Sequence, residues 1–137
     1  MDNSYLLHVS EGTLAFTIAD ITPPTTDTLT YTPTAGEFSV GKWFHLAAIY
    51  SQDDMTMSLY MDGREVASKS TTVPAIRPTL APLHIGKYNN SHYDGFIDEV
   101  KIYNEAVVPY FPEPIPEPAA LPLIGIGLLI IRKRRHA

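Results

Sequence analysis

The sequence predicts an all-β chain: an antiparallel β-sandwich (jelly roll) followed by a C-terminal hydrophobic helix. Three observations carry this. Residues 55–61 alternate, with Met55, Met57, Leu59 and Met61 on one face and Thr56, Ser58 and Tyr60 on the other. Short apolar runs recur between clusters of Thr, Pro and Gly, as short strands between turns require. No window of useful length before the C-terminal tail repeats its apolar residues with the helical period.

The elements follow in order. Residues 5–9 and 13–18 are apolar-rich runs split by Ser10-Glu11-Gly12, the spacing of a hairpin. Residues 19–42, with Pro23, Pro24, Pro33, Gly36 and Gly41 among many Thr, read mainly as loop. Residues 43–50 read as a buried strand, with Trp43 as a large apolar anchor between two sheets. The alternating strand 55–61 runs into Asp62-Gly63, a strong signal for a tight type I′ turn, and 64–70 returns as its partner. Residues 83–86 and 95–103 supply two more strands, with Phe96, Ile97, Val100 and Ile102 buried. Domain organisation is therefore a sandwich over 1–110, a Pro-rich linker over 111–118 and a tail over 119–137.

Composition narrows the functional classes. The 137-residue chain has room for one domain and carries a formal net charge of −5. Without the four cations of the tail, 6 Lys and Arg stand against 15 Asp and Glu, a net of −9. A body this acidic is no partner for nucleic acid, whose phosphates need a basic surface. The absence of cysteine rules out disulfides and thiolate chemistry.

Four segments resemble one family. They are Gly41-Lys42-Trp43-Phe44-His45-Leu46-Ala47, Met57-Ser58-Leu59-Tyr60-Met61-Asp62-Gly63, Leu83-His84-Ile85-Gly86, and 93–104, which contains Tyr93-Asp94-Gly95-Phe96-Ile97-Asp98-Glu99-Val100. In this order they look like concanavalin A-like, laminin-G-like (LamG-like, pentraxin-related) modules. The resemblance implies a sandwich of about twelve or more strands, so N-terminal strands are expected to be missing here. It also implies calcium held by oxygen ligands at the rim, for which Asp94 and Asp98 are the nearest carboxylates. Strand alternation sends Asp98 and Glu99 to opposite faces, so the two cannot share an ion without a bulge.

Several residues invite a chemical reading. Tyr88, Asn89, Asn90, His92 and Tyr93 bring aromatic, amide and imidazole groups into one loop, which suits a carbohydrate: faces to stack on and paired donors and acceptors. The same residues also make an ordinary polar hairpin turn. His8, His45, His84 and His92 lack the spacing of a zinc site or of a nucleophile's base, and read as structural or surface residues. Asp53-Asp54 reads as a solvated turn. The E-x-D-x-x-E pattern of concanavalin A-like glycosidases is absent, so no enzyme is expected and no cofactor beyond calcium. Two functions fit: a module that binds carbohydrate or protein, or a structural and accessory domain of a larger exported protein or enzyme.

The C-terminus adds an address. Pro116-Glu117-Pro118, an apolar run over 119–131 and Arg132-Lys133-Arg134-Arg135 follow one another at the chain end. In this order they resemble a PEP-CTERM sorting signal. That implies an exosortase as partner, export, anchoring in the inner membrane with the cations on the cytoplasmic side, and a cell-surface or extracellular product after cleavage. The apolar run is short against the ~20 residues that span a bilayer core. Met1-Asp2-Asn3-Ser4 has no secretory signal character, so the expectation is that this chain continues a longer exported protein or that its start lies further upstream.

Overall fold

A computed structural model describes residues 4–21 and 24–108. Strand β1 (Tyr5–Ser10), β2 (Thr13–Ile21) and β3 (Pro24–Tyr31) form one antiparallel sheet in the order β1-β2-β3. Strand β4 (Leu46–Ser51), β5 (Thr56–Met61) and β6 (Arg64–Ser70) form a second, in the order β4-β5-β6. Strands β7 (Lys87–Tyr88) and β8 (Ser91–His92) make a small hairpin. The described residues contain no helix, in line with the expected all-β class. The expected C-terminal helix, the linker and the sorting signal lie outside the described residues.

Tight turns fix the register. Ser10 pairs with Thr13 across Glu11 (φ 50°) and Gly12 (φ 75°). Met61 pairs with Arg64 across Asp62 (φ 50°) and Gly63 (φ 78°), the two positive φ angles that a type I′ turn needs. Asp62 does a second job: its Oδ1 accepts the His45 N–H at 2.9 Å, while its own N–H donates to the His45 carbonyl at 2.8 Å. The turn thus holds the entrance to β4.

The two sheets meet across one apolar cluster. Leu14, Phe16, Ile18 and Leu29 come from the first sheet, Met57 and Leu59 from the second, and Val73 from the chain that follows β6. Met57, Leu59 and Met61 are buried as the alternation expects, and Tyr60 is buried as well, next to a register shift between Leu59 and Tyr60. Residues 71–77 strap the sheets together. The Tyr50 hydroxyl donates to the Val73 carbonyl at 2.8 Å, and the Arg77 N–H donates to the Ala19 carbonyl at 2.8 Å. Lys69 of β6 adds a cross-sheet ion pair with Asp27 of β3 and donates to the Thr28 carbonyl at 2.9 Å. Burial opposes the Asp27 charge, but the bonds from Lys69, Thr71 and the Thr28 N–H outweigh it and hold its carboxyl below the usual range.

Several expectations need correction. Residues 24–31 form a strand, because alternate Thr side chains line one face of β3 while Leu29 points to the core and β2 pairs with it along its whole length. Pro24 stands at the first position of that strand, where proline costs no ladder bond. The strand expected over 43–50 begins only at Leu46. Trp43 is 67% exposed and Phe96 84% exposed, so neither is in the core. Their rings lie against each other instead, with centroids 6.4 Å apart. The space between the sheets is already filled by the cluster just described. Residues 83–86 and 95–103 form no strand among the described residues. A strand exists only against a partner backbone, and none of the described segments pairs with them, so Phe96, Ile97, Val100 and Ile102 stay exposed.

Candidate functional site

Cross-strand register sorts the first sheet into two faces. Directly opposed residues share a face, so Leu7 opposite Phe16 and Phe16 opposite Leu29 belong to the core side. Leu6 opposite Thr17, His8 opposite Ala15, Thr17 opposite Thr28, Ala15 opposite Thr30 and Ala19 opposite Thr26 belong to the outer side. This outer face is built of hydroxyls, small side chains, one imidazole and the apolar Leu6. Thr17 and Thr28 share a hydroxyl–hydroxyl hydrogen bond of 2.9 Å, and Thr13 and Thr32 one of 3.1 Å.

The β7–β8 hairpin comes to the edge of this face. Asn89, at φ 53°, and Asn90 form its turn, and the Tyr93 N–H donates to the Gly86 carbonyl at 2.8 Å to close its base. Gly86, at φ 72°, permits the reversal into the hairpin that a side chain would resist. The result brings Tyr88 to His8, eighty residues earlier in the chain. Their rings stack with centroids 5.9 Å apart and planes 19° from parallel. Between hairpin and sheet lies a cleft of about 270 Å³, walled by Leu6, His8, Thr17, Thr28 and Tyr88 among others. No carboxylate, lysine or arginine lines it. A second hollow of about 550 Å³ opens on the other side of Tyr88, between the hairpin and the chain near Arg77 and His84, with Asn89 at its wall. Nδ1 of His8 is buried and has no hydrogen-bond partner among the described residues. An orphaned polar atom of this kind is unusual in a folded interior.

Of the residues expected from sequence, Tyr88 is half-buried and is the one brought into the cleft. Asn89, Asn90, His92 and Tyr93 are exposed around the hairpin, with Asn89 reaching the second hollow. Asp94 and Asp98 lie on the exposed segment that follows. Oδ1 of Asp98 accepts the Glu99 N–H at 2.8 Å, and Glu99 pairs with Lys101 at 3.2 Å. Among the described residues no three His, Cys, Asp or Glu side chains gather as they would around an ion. His8 reads from the sequence as a structural or surface residue, and Thr17 and Thr28 are not singled out there. The alternation of Thr along 26–30 was the available signal, and it reads as a site only once β3 is known to be a strand.

A second polar cluster lies where the chain leaves β3. Oε2 of Glu37 accepts the Thr34 hydroxyl at 2.7 Å, the Thr34 N–H at 2.8 Å and the Tyr31 hydroxyl at 2.9 Å, while Oε1 pairs with Arg64. These donors, the Thr34 pair first, bring the Glu37 carboxyl down to about 2. The same contacts push Tyr31 and Arg64 upward. These contacts fasten the 32–37 turn to β6.

Two antiparallel sheets packed across one apolar cluster are the architecture of a β-sandwich. Residues 1–109 match the family model of the concanavalin A-like lectin/glucanases superfamily, in its laminin-G-like branch, and the chain belongs to that family. Among solved structures, the S-layer domain-containing protein of Clostridium thermocellum (residues 221–444) is similar at 22% identity and a TM-score of 0.43, over 78% of this chain and 54% of that one. The chain thus spans about half the length of that solved chain. No curated protein matches.

Proposed function

We propose that this chain is a non-catalytic binding module that grips carbohydrate or another protein at the edge where the β7–β8 hairpin meets the first sheet. One observation carries the reading: Tyr88 and His8, far apart in sequence, form an aromatic wall over a cleft whose other walls are apolar side chains and threonines, with no charged side chain among the described residues. Aromatic faces with neutral donors and acceptors are the ordinary equipment of a sugar or peptide site. A glycan array, with surface proteins on the same array, tests it. Binding that falls on Tyr88→Ala is expected; a chain that binds neither class refutes it.

The address belongs to the same proposal. Pro116-Glu117-Pro118, the apolar run and Arg132 to Arg135 are read as an exosortase sorting signal that anchors an exported protein in the inner membrane before it reaches the surface. Mass spectrometry of the C-terminus in hosts with and without an exosortase tests this. Cleavage near Glu117 only in the first host is expected, and an uncut chain in both refutes it. A second reading, an accessory domain within a larger exported protein, is favoured by the exposed apolar row Phe96, Ile97, Val100 and Ile102, a surface that a neighbouring domain would cover.

A further inference from the structure

We propose that the larger hollow beside Tyr88 is a docking groove for the chain's own acidic, proline-rich segment 111–118, which joins the body to the C-terminal tail. The docking goes beyond the binding module and the sorting signal and depends on neither.

The walls of the hollow define its occupant. The space is about 550 Å³, and Tyr5, Leu6, Leu83 and Tyr88 give it apolar and aromatic sides. Arg77 and Lys87 add positive charge and His84 an imidazole, and among the described residues no Asp or Glu lines it. That is a local reversal of sign in a chain whose net charge is −5. A cationic hollow favours an acidic occupant. Aromatic walls favour one already held in the extended polyproline conformation, the form in which proline-rich segments enter such grooves.

The chain carries a segment of that chemistry. Phe111-Pro112-Glu113-Pro114-Ile115-Pro116-Glu117-Pro118 has proline at every second position, and its only charges are two carboxylates. Each proline fixes its own φ and biases the residue before it towards extended backbone, so the segment gives up little freedom on docking. Glu113 and Glu117 answer the cationic walls, while Phe111, Ile115 and the proline rings answer Tyr5, Leu6 and Tyr88. Reach is no obstacle. A side chain placed at Gly86 would lie 3.4 Å from Cδ1 of Ile97, so the chain passes the base of the β7–β8 hairpin, next to Lys87. Glu113 follows Ile97 by sixteen residues, enough to span about 50 Å. Where the sorting reading holds as well, docking keeps Glu117 from a protease until the groove releases it.

The test begins with the full wild-type chain in a zwitterionic detergent, treated with a water-soluble carbodiimide. The reagent activates a carboxylate, and an amine in contact with it displaces the activating group to leave an amide. Peptide mass spectrometry should find Lys87 Nζ joined to Glu113 or Glu117, and a mixture of unlabelled and isotope-labelled chains should show the link to lie within one copy. Lys42, exposed before β4, is the control and should stay unjoined to either. Because the chain lacks cysteine, disulfide trapping gives a second readout. Asn89→Cys with Ile115→Cys should close under mild oxidation, and Asp53→Cys with Ile115→Cys about tenfold more slowly. Adding Lys87→Glu to the first pair should slow closure about fivefold, and adding Glu113→Lys and Glu117→Lys to that should restore it. Asp53, Lys87 and Asn89 are exposed, so these variants leave the core intact. Lys42 joined as readily as Lys87, equal closure of the two cysteine pairs, or closure indifferent to Lys87→Glu overturns the proposal. Links found only between copies overturn it too, by placing the segment in a neighbour's hollow. None of these results touches the binding or sorting reading, which have their own tests.

Discussion

Replacing Leu59 with Ala should cost the fold about 3–4 kcal/mol. Leu59 is completely buried and belongs to the cluster that joins the two sheets. The change removes three carbons, worth about 0.8 kcal/mol each for loss of burial. The cavity left behind adds to that, and such substitutions in cores span about 2.7–5 kcal/mol. Position within that span depends on whether the surroundings collapse. Leu59 stands opposite Ala48 on β4 and Ala67 on β6, side chains too small to reach into the gap, so the middle of the range is expected. For a body of roughly 100 residues this lowers Tm by about 12–16 °C. Far-UV circular dichroism in urea is the suitable assay, because the single tryptophan, Trp43, is exposed and its emission changes little on unfolding. A loss below about 1 kcal/mol with an unchanged denaturant slope would show that Leu59 does not join the sheets, and would refute the packing described above.

Other outcomes follow from the same geometry. Trp43→Ala and Phe96→Ala should each change stability by only about 0.5 kcal/mol or less in urea titrations, since both side chains are largely exposed. Gly63→Val should lower the melting midpoint, at a cost of about 1 kcal/mol or more, because a β-branched residue resists φ 78°. Glu37 makes stability pH-dependent on the acid side. Its carboxyl, ordinarily near 4.5, falls to about 2 in the fold, so the unfolded chain takes up a proton first as pH drops. The stabilisation is complete above 4.5 and is lost as pH falls towards 2; melting curves across that window should show a slope that Glu37→Gln flattens.

The legible parts of the fold were local. The turn at Asp62-Gly63 and the alternation through Met57, Leu59 and Met61 depend only on neighbours in sequence, and the structure reproduces both. The Glu11-Gly12 turn is of the same kind. What failed depended on partners. Residues 24–31 look like loop because Thr and Pro dominate, yet Thr is branched at Cβ and suits a strand once β2 lies alongside. Residues 95–103 look like strand from their apolar residues, yet no described backbone pairs with them. The candidate site divides in the same way. Tyr88 stood out through its loop's composition, whereas its contact with His8 spans eighty residues, and no spacing rule reaches that far.

The strap formed by residues 71–77 has a kinetic meaning. Each sheet is a meander of neighbouring strands joined by short connections, so each can zip from its own turns on the microsecond scale of a hairpin. The bond from Arg77 to Ala19 and the burial of Val73 in the cluster between the sheets exist only after both sheets have come together. They belong to the late side of the folding barrier. Trimming the buried side chain with Val73→Ala should therefore speed unfolding in stopped-flow traces and leave the refolding rate nearly unchanged. The strap would then govern how long the folded state lasts once formed, more than how quickly it forms.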